Sequence, residues 1–320
     1  MKPLYMWAGG KNKMIPKYLE GPGIPTSGYD TFVEPFFGGG AMTIWVYKNC
    51  PDVKRFIIND VKEELVGIYN AIKNDLDNFI KRMDALEAQY LPLDKAARKE
   101  WFYNLRTPYA TNIHTWTATE ESATLYFLMK TAFNGIWQTT KRANGRFDTP
   151  FGLGNQKTLV YEKDNVLEWH TFLQKADVYC GDWQVASDAA NNERTFFFYD
   201  PPYRDSFTSY GEGFTDADHQ TLIEYCVQKD LQGDIVFYCN RDDAQDGFFD
   251  AHKAHLNDSY FDIKYTAGRR ATEKDKDGNP ILDEDGNNTR TAKAAKEILL
   301  HTTIQKSVDV FAHGLCEVIG

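Results

Sequence analysis

The run Thr195-Phe196-Phe197-Phe198-Tyr199 most limits what this chain can become. It is nearly continuous in apolar side chains and lacks the alternation of a half-solvated strand. Such a run reads as a strand covered on both faces, the arrangement of a parallel sheet between layers of helices. It stops abruptly at Asp200-Pro201-Pro202-Tyr203. In an open α/β sheet, sites form outside the carboxyl ends of the strands, and this motif falls at one.

The N-terminal third supports the same architecture. Thr31 to Glu34 reads as a short strand leading into Pro35-Phe36-Phe37-Gly38-Gly39-Gly40, and a helix starts at Ala41 and runs to Lys48. Phe56 to Ile58 reads as a second strand ending at Asn59-Asp60. From Glu63 to Tyr90, apolar residues recur near a 3.6 period, which predicts helix throughout. Strand, glycine-rich turn, helix, strand and helix begin an open α/β sheet.

The middle differs. Lys95 to Arg106 and Glu120 to Phe133 read as helices, and Gly135 to Gly154 as a polar, basic loop or hairpin. We read 93–159 as a mainly helical insertion between two parts of one α/β domain, 1–92 and 160–320. Strand signals return at Val178 to Cys180, Thr195 to Tyr199, Asp234 to Cys239, Phe261 to Tyr265 and Glu297 to Thr303. Thr215 to Lys229 reads as a helix with Asp216 and Asp218 in its first turn, where acids suit the dipole. Between Ala271 and Asn288, a polar segment places Glu273, Asp275, Asp277, Gly278 and Glu284 at calcium-loop spacing. Glu at the first position, Pro280 inside and no flanking helices favour a hairpin between two strands.

Three features carry chemistry. In Asp200-Pro201-Pro202-Tyr203 two prolines stiffen the chain and leave carbonyls without neighbouring donors. Asp200 and a proline carbonyl suit the two N–H bonds of a flat amine, and Tyr203 suits its face. The plain alternative is a strand-ending turn. Phe36 to Gly40 lets the backbone approach a ligand at a helix start, and Asp60, about twenty residues on, suits ribose hydroxyls or a helix cap. Trp7-Ala8-Gly9-Gly10-Lys11 is a third close-approach turn, with Leu4 and Trp7 expected to pack.

Charge and cysteine content narrow the class. The net charge is −10, which by itself argues against nucleic acid. Yet Met1 to Leu19, Lys130 to Phe147 and Asn287 to Lys296 hold basic residues and no acids. These islands are either scattered or one basic face. Five cysteines without a Cys-x-x-Cys pair suggest buried free thiols rather than disulfides or zinc. His252 and His255 have no third ligand at metal-site spacing. With no bilayer-length apolar run and no apolar N-terminal stretch, a soluble, cytoplasmic protein is expected.

Taken in order, Trp-Ala-Gly-Gly-Lys, Phe-Val-Glu-Pro-Phe-Phe-Gly-Gly-Gly, Asn-Asp, Gly-Asp-Trp and Asp-Pro-Pro-Tyr resemble the Dam-like DNA adenine methyltransferases, D12 class with the alpha motif order. The resemblance spans nearly the whole chain, including Phe133-Asn134-Gly135 and Arg146 to Gly152. It implies a Rossmann-like, S-adenosylmethionine-dependent sheet with an inserted target-recognition domain, of bacterial or phage origin. By the resemblance, Trp7, Ala8, Lys11, Glu34, Pro35, Phe36, Gly38, Gly40, Asp60, Asp182, Trp183 and Asp200 bind the cofactor. Asp200, Pro201, Pro202 and Tyr203 hold the base. Asn134, Gln138, Lys141, Arg142 and Arg146 meet double-stranded DNA, and no metal is implied. Met6 and Gln138 depart from the usual Lys and Arg of the family, and the long acidic segment before Ala292 is an addition.

The implied reaction is methylation of adenine N6 after base flipping. Three other readings use part of the same pattern. They are a cytosine-N4 or RNA methyltransferase, a silent DNA-binding relative such as a restriction partner, and a nicotinamide oxidoreductase. The last lacks Gly-x-Gly-x-x-Gly and leaves Asp-Pro-Pro-Tyr unexplained.

Overall fold

The fold comes from a computed structural model that describes residues 1–303 apart from 8, 134–136, 153–157, 191–192, 205–212, 244–245, 266–270, 273–289 and 292. Ala8, Asn134, Cys316 and the calcium-spaced positions from Glu273 to Glu284 therefore lie outside the described residues.

The strands are β1 (Thr31–Glu34), β2 (Arg55–Asp60), β3 (Ala176–Cys180), β4 (Thr195–Tyr199), β5 (Ile235–Arg241), β6 (Asn257–Tyr265), the two-residue pair β7 (Ala271–Thr272) and β8 (Arg290–Thr291), and β9 (Lys293–His301). Among the described residues they form a seven-stranded sheet in the order β3-β2-β1-β4-β5-β9-β6, with β7 and β8 paired separately. β3 to β5 pair in parallel, whereas β9 runs antiparallel between β5 and β6. This is the mainly parallel, doubly covered sheet expected from the run at Thr195, in the Rossmann-like form that the resemblance implied.

All five residues of β4 are buried. Alternation along the strands separates two cores. Phe32, Phe56, Phe196, Phe198, Phe237 and Leu299 face one, and Val33, Ile57, Phe197, Tyr199, Tyr238 and Leu300 face the other. The first is covered by α1 (Ile15–Glu20), α2 (Ala41–Asn49), α3 (Glu63–Asn74) and, later in the chain, α7 (Lys163–Leu173). The second lies under α8 (Trp183–Asp188) and α9 (Asp216–Leu231). A capping box between Thr215 and Asp218 starts α9, as the acids in its first turn suggested.

The helical stretch expected from Glu63 to Tyr90 is broken. It divides into α3 and α4 (Leu76–Tyr90), with Asp75 at φ −147° between them. The Asp75 carboxylate accepts from Asn78 Nδ2 at 2.8 Å and Thr119 Oγ1 at 2.6 Å, offering the backbone an alternative to helix. An apolar period reports which side chains face inward, and it survives such a bend.

Helix α5 (Lys95–Thr111) runs past its expected end at Arg106, carrying Pro108 in its last turn. Asn112, at φ 55°, then closes it. Helix α6 (Ala118–Thr131) starts from a Thr117–Glu120 capping box and packs on α3, α4 and α5. Ala132 and Phe151 form an isolated antiparallel bridge that closes the loop between them. No helix among the described residues is long and apolar enough to cross a membrane.

Of the described cysteines, Cys50, Cys226 and Cys239 are buried free thiols. Cys180 corrects the expectation, since it is exposed at the end of β3, the outermost strand on its side of the sheet.

Candidate active site at the sheet switch point

Strands β1 and β4 are neighbours, and their connections leave in opposite directions across the sheet. The gap above such a pair is where open α/β sheets bind ligands. Glu34 ends β1 and the glycine turn follows it, and Asp200 follows β4. Two of the three sequence motifs are thus brought together by adjacent strands.

The glycine turn is tightly determined. Gly38 has φ 48°, and a Cβ there would stand 2.7 Å from the Trp7 ring. Its N–H donates to Asp60 Oδ2 at 2.9 Å, and its carbonyl accepts from Tyr5 at 3.0 Å. Gly40, at φ 64°, begins α2. Pro35 is buried, and its carbonyl accepts from Asn59 Nδ2 at 2.9 Å. Glu34 accepts from the Thr43 N–H at 2.9 Å, so it caps the first turn of α2. Burial pushes its carboxyl up to about 8, against the opposing Thr43 bonds.

Asp60 also accepts from Lys62 N–H at 2.9 Å. Burial raises its pKa, and these backbone donors oppose the rise. A carboxylate has about four acceptor sites, so Asp60 keeps capacity for another donor beside these backbone bonds. Beside it, Asn59 is buried and its Oδ1 has no hydrogen-bond partner. An acid with spare acceptor sites and an orphaned buried acceptor beside the glycine turn fit a nucleoside-bearing ligand.

The third motif reaches the same place from the N-terminus. Gly9, at φ 83°, sits third in a turn closed by Gly10 N–H to Trp7 carbonyl at 3.2 Å. Lys11 follows and is 5% exposed. Its Nζ lies 2.6 Å from Asp200 Oδ1 and 4.8 Å from the centre of the Tyr203 ring. Burial lowers the Lys11 pKa, but Asp200 and Glu297 outweigh it and the net shift is upward. Burial raises Asp200, and the Lys11 ammonium opposes that rise.

Tyr203 donates its hydroxyl to Glu297 Oε2 at 2.9 Å. Pro201 is buried and Pro202 partly so. The next residue, Arg204, pins the chain after the motif. Its guanidinium pairs with Asp216 at 2.8 Å and Asp246 at 3.1 Å and lies 3.8 Å from the Phe248 ring centre. Sequence reasoning passed over both Glu297 and Arg204. The available signal for Glu297 was an acid heading the strand expected from Glu297 to Thr303.

Other expected residues are placed as follows. Trp7 is partly buried and its ring edge meets Trp137 at 6.3 Å. Phe36 is partly exposed and meets Phe214 at 5.7 Å. Asp182 is exposed and caps α8 through Gln184 N–H at 2.8 Å. The Trp183 ring instead packs into the second core, 5.3 Å from Tyr225.

The basic segment divides. Gln138 and Lys141 are exposed. Arg142 is also exposed but forms a two-pronged pair with Asp148 at 2.7 and 3.0 Å. Arg146 turns inward to Glu121, the Tyr109 carbonyl at 3.0 Å and the Tyr109 ring. Lys11 is likewise spent internally, so the first basic island is not wholly surface.

Comparison with known proteins gives the family. A family model described as D12 class N6 adenine-specific DNA methyltransferase matches residues 7–262. The chain is 30% identical over 249 residues to the Type II methyltransferase M.MjaIII of Methanocaldococcus jannaschii, covering 75% of this chain and 84% of that protein. It is 30% identical over 229 residues to the Type II methyltransferase M.CviBI of Paramecium bursaria Chlorella virus NC1A, covering 70% and 78%. It is 26% identical over 248 residues to the DNA adenine methylase of Serratia marcescens, covering 75% and 83%.

Proposed function

Because the chain belongs to the D12 class of N6 adenine-specific DNA methyltransferases, we propose that its switch-point site takes the methyl group from S-adenosylmethionine and acts on a base turned out of double-stranded DNA. The chain is a site-specific adenine methyltransferase; the donor, the flipped base and the residue roles are our reading. The observation that carries it is the meeting of Lys11, Asp200 and Tyr203 beside the glycine turn. Relatives named Type II methyltransferases favour a modification role beside a restriction enzyme.

When bound, S-adenosylmethionine supplies an electrophilic methyl on a sulfonium. The glycine turn at the end of β1 packs against Trp7 and Phe37 beside the donor's place, and Asp60 and Asn59 offer acceptors for hydroxyl or amino donors. An adenine N6 lone pair is delocalised into the ring and is a weak nucleophile. Asp200 and the Pro201 carbonyl accept its two N–H bonds and localise that pair on nitrogen, out of conjugation with the ring. Lys11 holds Asp200 in place through its Oδ1, and the carboxylate keeps further acceptor sites. Tyr203 stacks on the flipped base. Alignment of nitrogen and methyl supplies much of the acceleration. The methylated nitrogen then loses a proton, which it releases readily once cationic.

The phosphate-facing surface is assigned to the recognition segment, with Lys141 as its freest charge and Gln138 able to read a base edge. The test is transfer of a labelled methyl group to unmethylated plasmid, followed by nucleoside mass spectrometry. N6-methyladenine in the wild type and none in Asp200→Ala, with the donor still bound, is the expected result. N4-methylcytosine, or methyl only in RNA, overturns it.

A further inference from the structure

Glu297 stands in strand β9, between β5 and β6, far along the chain from every motif discussed above. It is 2% exposed. On β9 it shares a face with Leu299, which belongs to the first core, and Ile298 and Leu300 face the other side. An acid in that row costs desolvation unless its oxygens are satisfied. Both are: Oε2 accepts from Tyr203 at 2.9 Å, and Oε1 accepts from the hydroxyl of Tyr18, which is wholly buried. Two phenolic donors, one on each oxygen, are the partners of an acceptor-only carboxylate.

We propose that Glu297 is a positioning residue for methyl transfer, fixing the Tyr203 ring as the platform for the target base and adding a second negative charge beside Lys11 and Asp200. The inference rests on the reading of the site given above. A tyrosine held only by stacking turns about its side-chain torsions, and each loosened torsion widens the set of base positions. With its hydroxyl tied to a strand in the sheet interior, the ring has one orientation, and Lys11 lies against its face. The charges point the same way. Lys11 pairs with Asp200 and lies over the Tyr203 ring whose hydroxyl Glu297 holds, which sets a second carboxylate near the place where the reaction moves positive charge from sulfur to nitrogen. Such fixed charges act strongly in a site closed to water.

Glu297→Gln keeps an acceptor for Tyr203 but removes the charge. Glu297→Ala removes both. Tyr203→Phe removes the hydroxyl from the other end, together with its interaction with Asp200, and leaves β9 intact, so beside Glu297→Gln it remains informative if the alanine variant fails to fold. The measurements are kcat and KM for DNA, and fluorescence of 2-aminopurine placed at the target adenine, which reports stacking of the flipped base.

The expected result is a kcat lower by about tenfold to a hundredfold in Glu297→Gln with KM within about twofold and the fluorescence retained. Glu297→Ala and Tyr203→Phe should lose kcat and also change the fluorescence. Wild-type kcat and fluorescence in folded Glu297→Gln and Tyr203→Phe overturn the proposal. Failure of the underlying reading is separate: the wild type itself would then put no methyl on adenine.

Discussion

The Lys11 ammonium lies 2.6 Å from the Asp200 carboxylate, across 189 positions of sequence. The pair joins the N-terminal turn to the end of β4 and closes the site from one side. Its removal should be read in two ways. Asp200→Asn should lower turnover by about a thousandfold or more while retaining donor binding, by loss of an interaction used in the transition state. Lys11→Met should also destabilise the fold, by up to ~3–5 kcal/mol, because a mostly buried acid then loses its paired cation. Denaturant titration and single-turnover rates separate the two effects, and a Lys11→Met variant of unchanged stability would contradict the second.

Gly38 should tolerate no side chain. A φ of 48° disfavours L-residues, and the added Cβ would meet the Trp7 ring at 2.7 Å. Gly38→Ala should weaken donor binding by about tenfold or more, measured by calorimetry. Gly39→Ala meets only the Trp7 Cβ at 3.3 Å and has no positive φ to strain, so it should be milder. Equal losses in the two variants would show that loop shape is not decided at Gly38.

Glu34 makes stability depend on pH. Its folded value is raised to about 8, above its ordinary 4.5, so the folded chain keeps a proton that the unfolded chain has released in between. The associated stability is complete below about pH 4.5 and is lost as pH rises through 8. Glu34→Gln keeps an acceptor for Thr43 and cannot ionise. Its melting temperature should therefore fall less than the wild type's between about pH 5 and about pH 9. Parallel curves would place the titration elsewhere.

Lys141 and Arg146 should behave differently although both were expected at DNA. Lys141 is exposed, so Lys141→Ala should reduce the salt dependence of DNA binding by about one charge and leave the melting temperature unchanged. Arg146 is held by Glu121 and Tyr109, so Arg146→Ala should cost about 1–3 kcal/mol of stability. A stable Arg146→Ala protein with a reduced salt slope would return that residue to the interface.

Much of this molecule was legible in order along the chain. The strand at Thr195, the glycine turn after Glu34 and the acids opening α9 are local patterns, and short-range sterics, caps and side-chain alternation decide them. The break at Asp75 was not legible, because it depends on a bond from Thr119, and the apolar period continues through it.

The candidate site divides in the same way. Its chemistry could be read from motifs, since an acid before two prolines and glycines after a strand carry their meaning locally. What surrounds them was decided only by folding. The sheet order sets β1 beside β4 and brings Lys11 to Asp200. The late insertion of β9 beside β5 delivers Glu297 to Tyr203. Arg142 and Arg146, alike in a basic run, were sorted by the acids that packing set within reach. Residue type and spacing specify what a side chain can do. Burial and long-range pairing choose its partner, because a charge removed from water must take the nearest counter-charge the fold supplies.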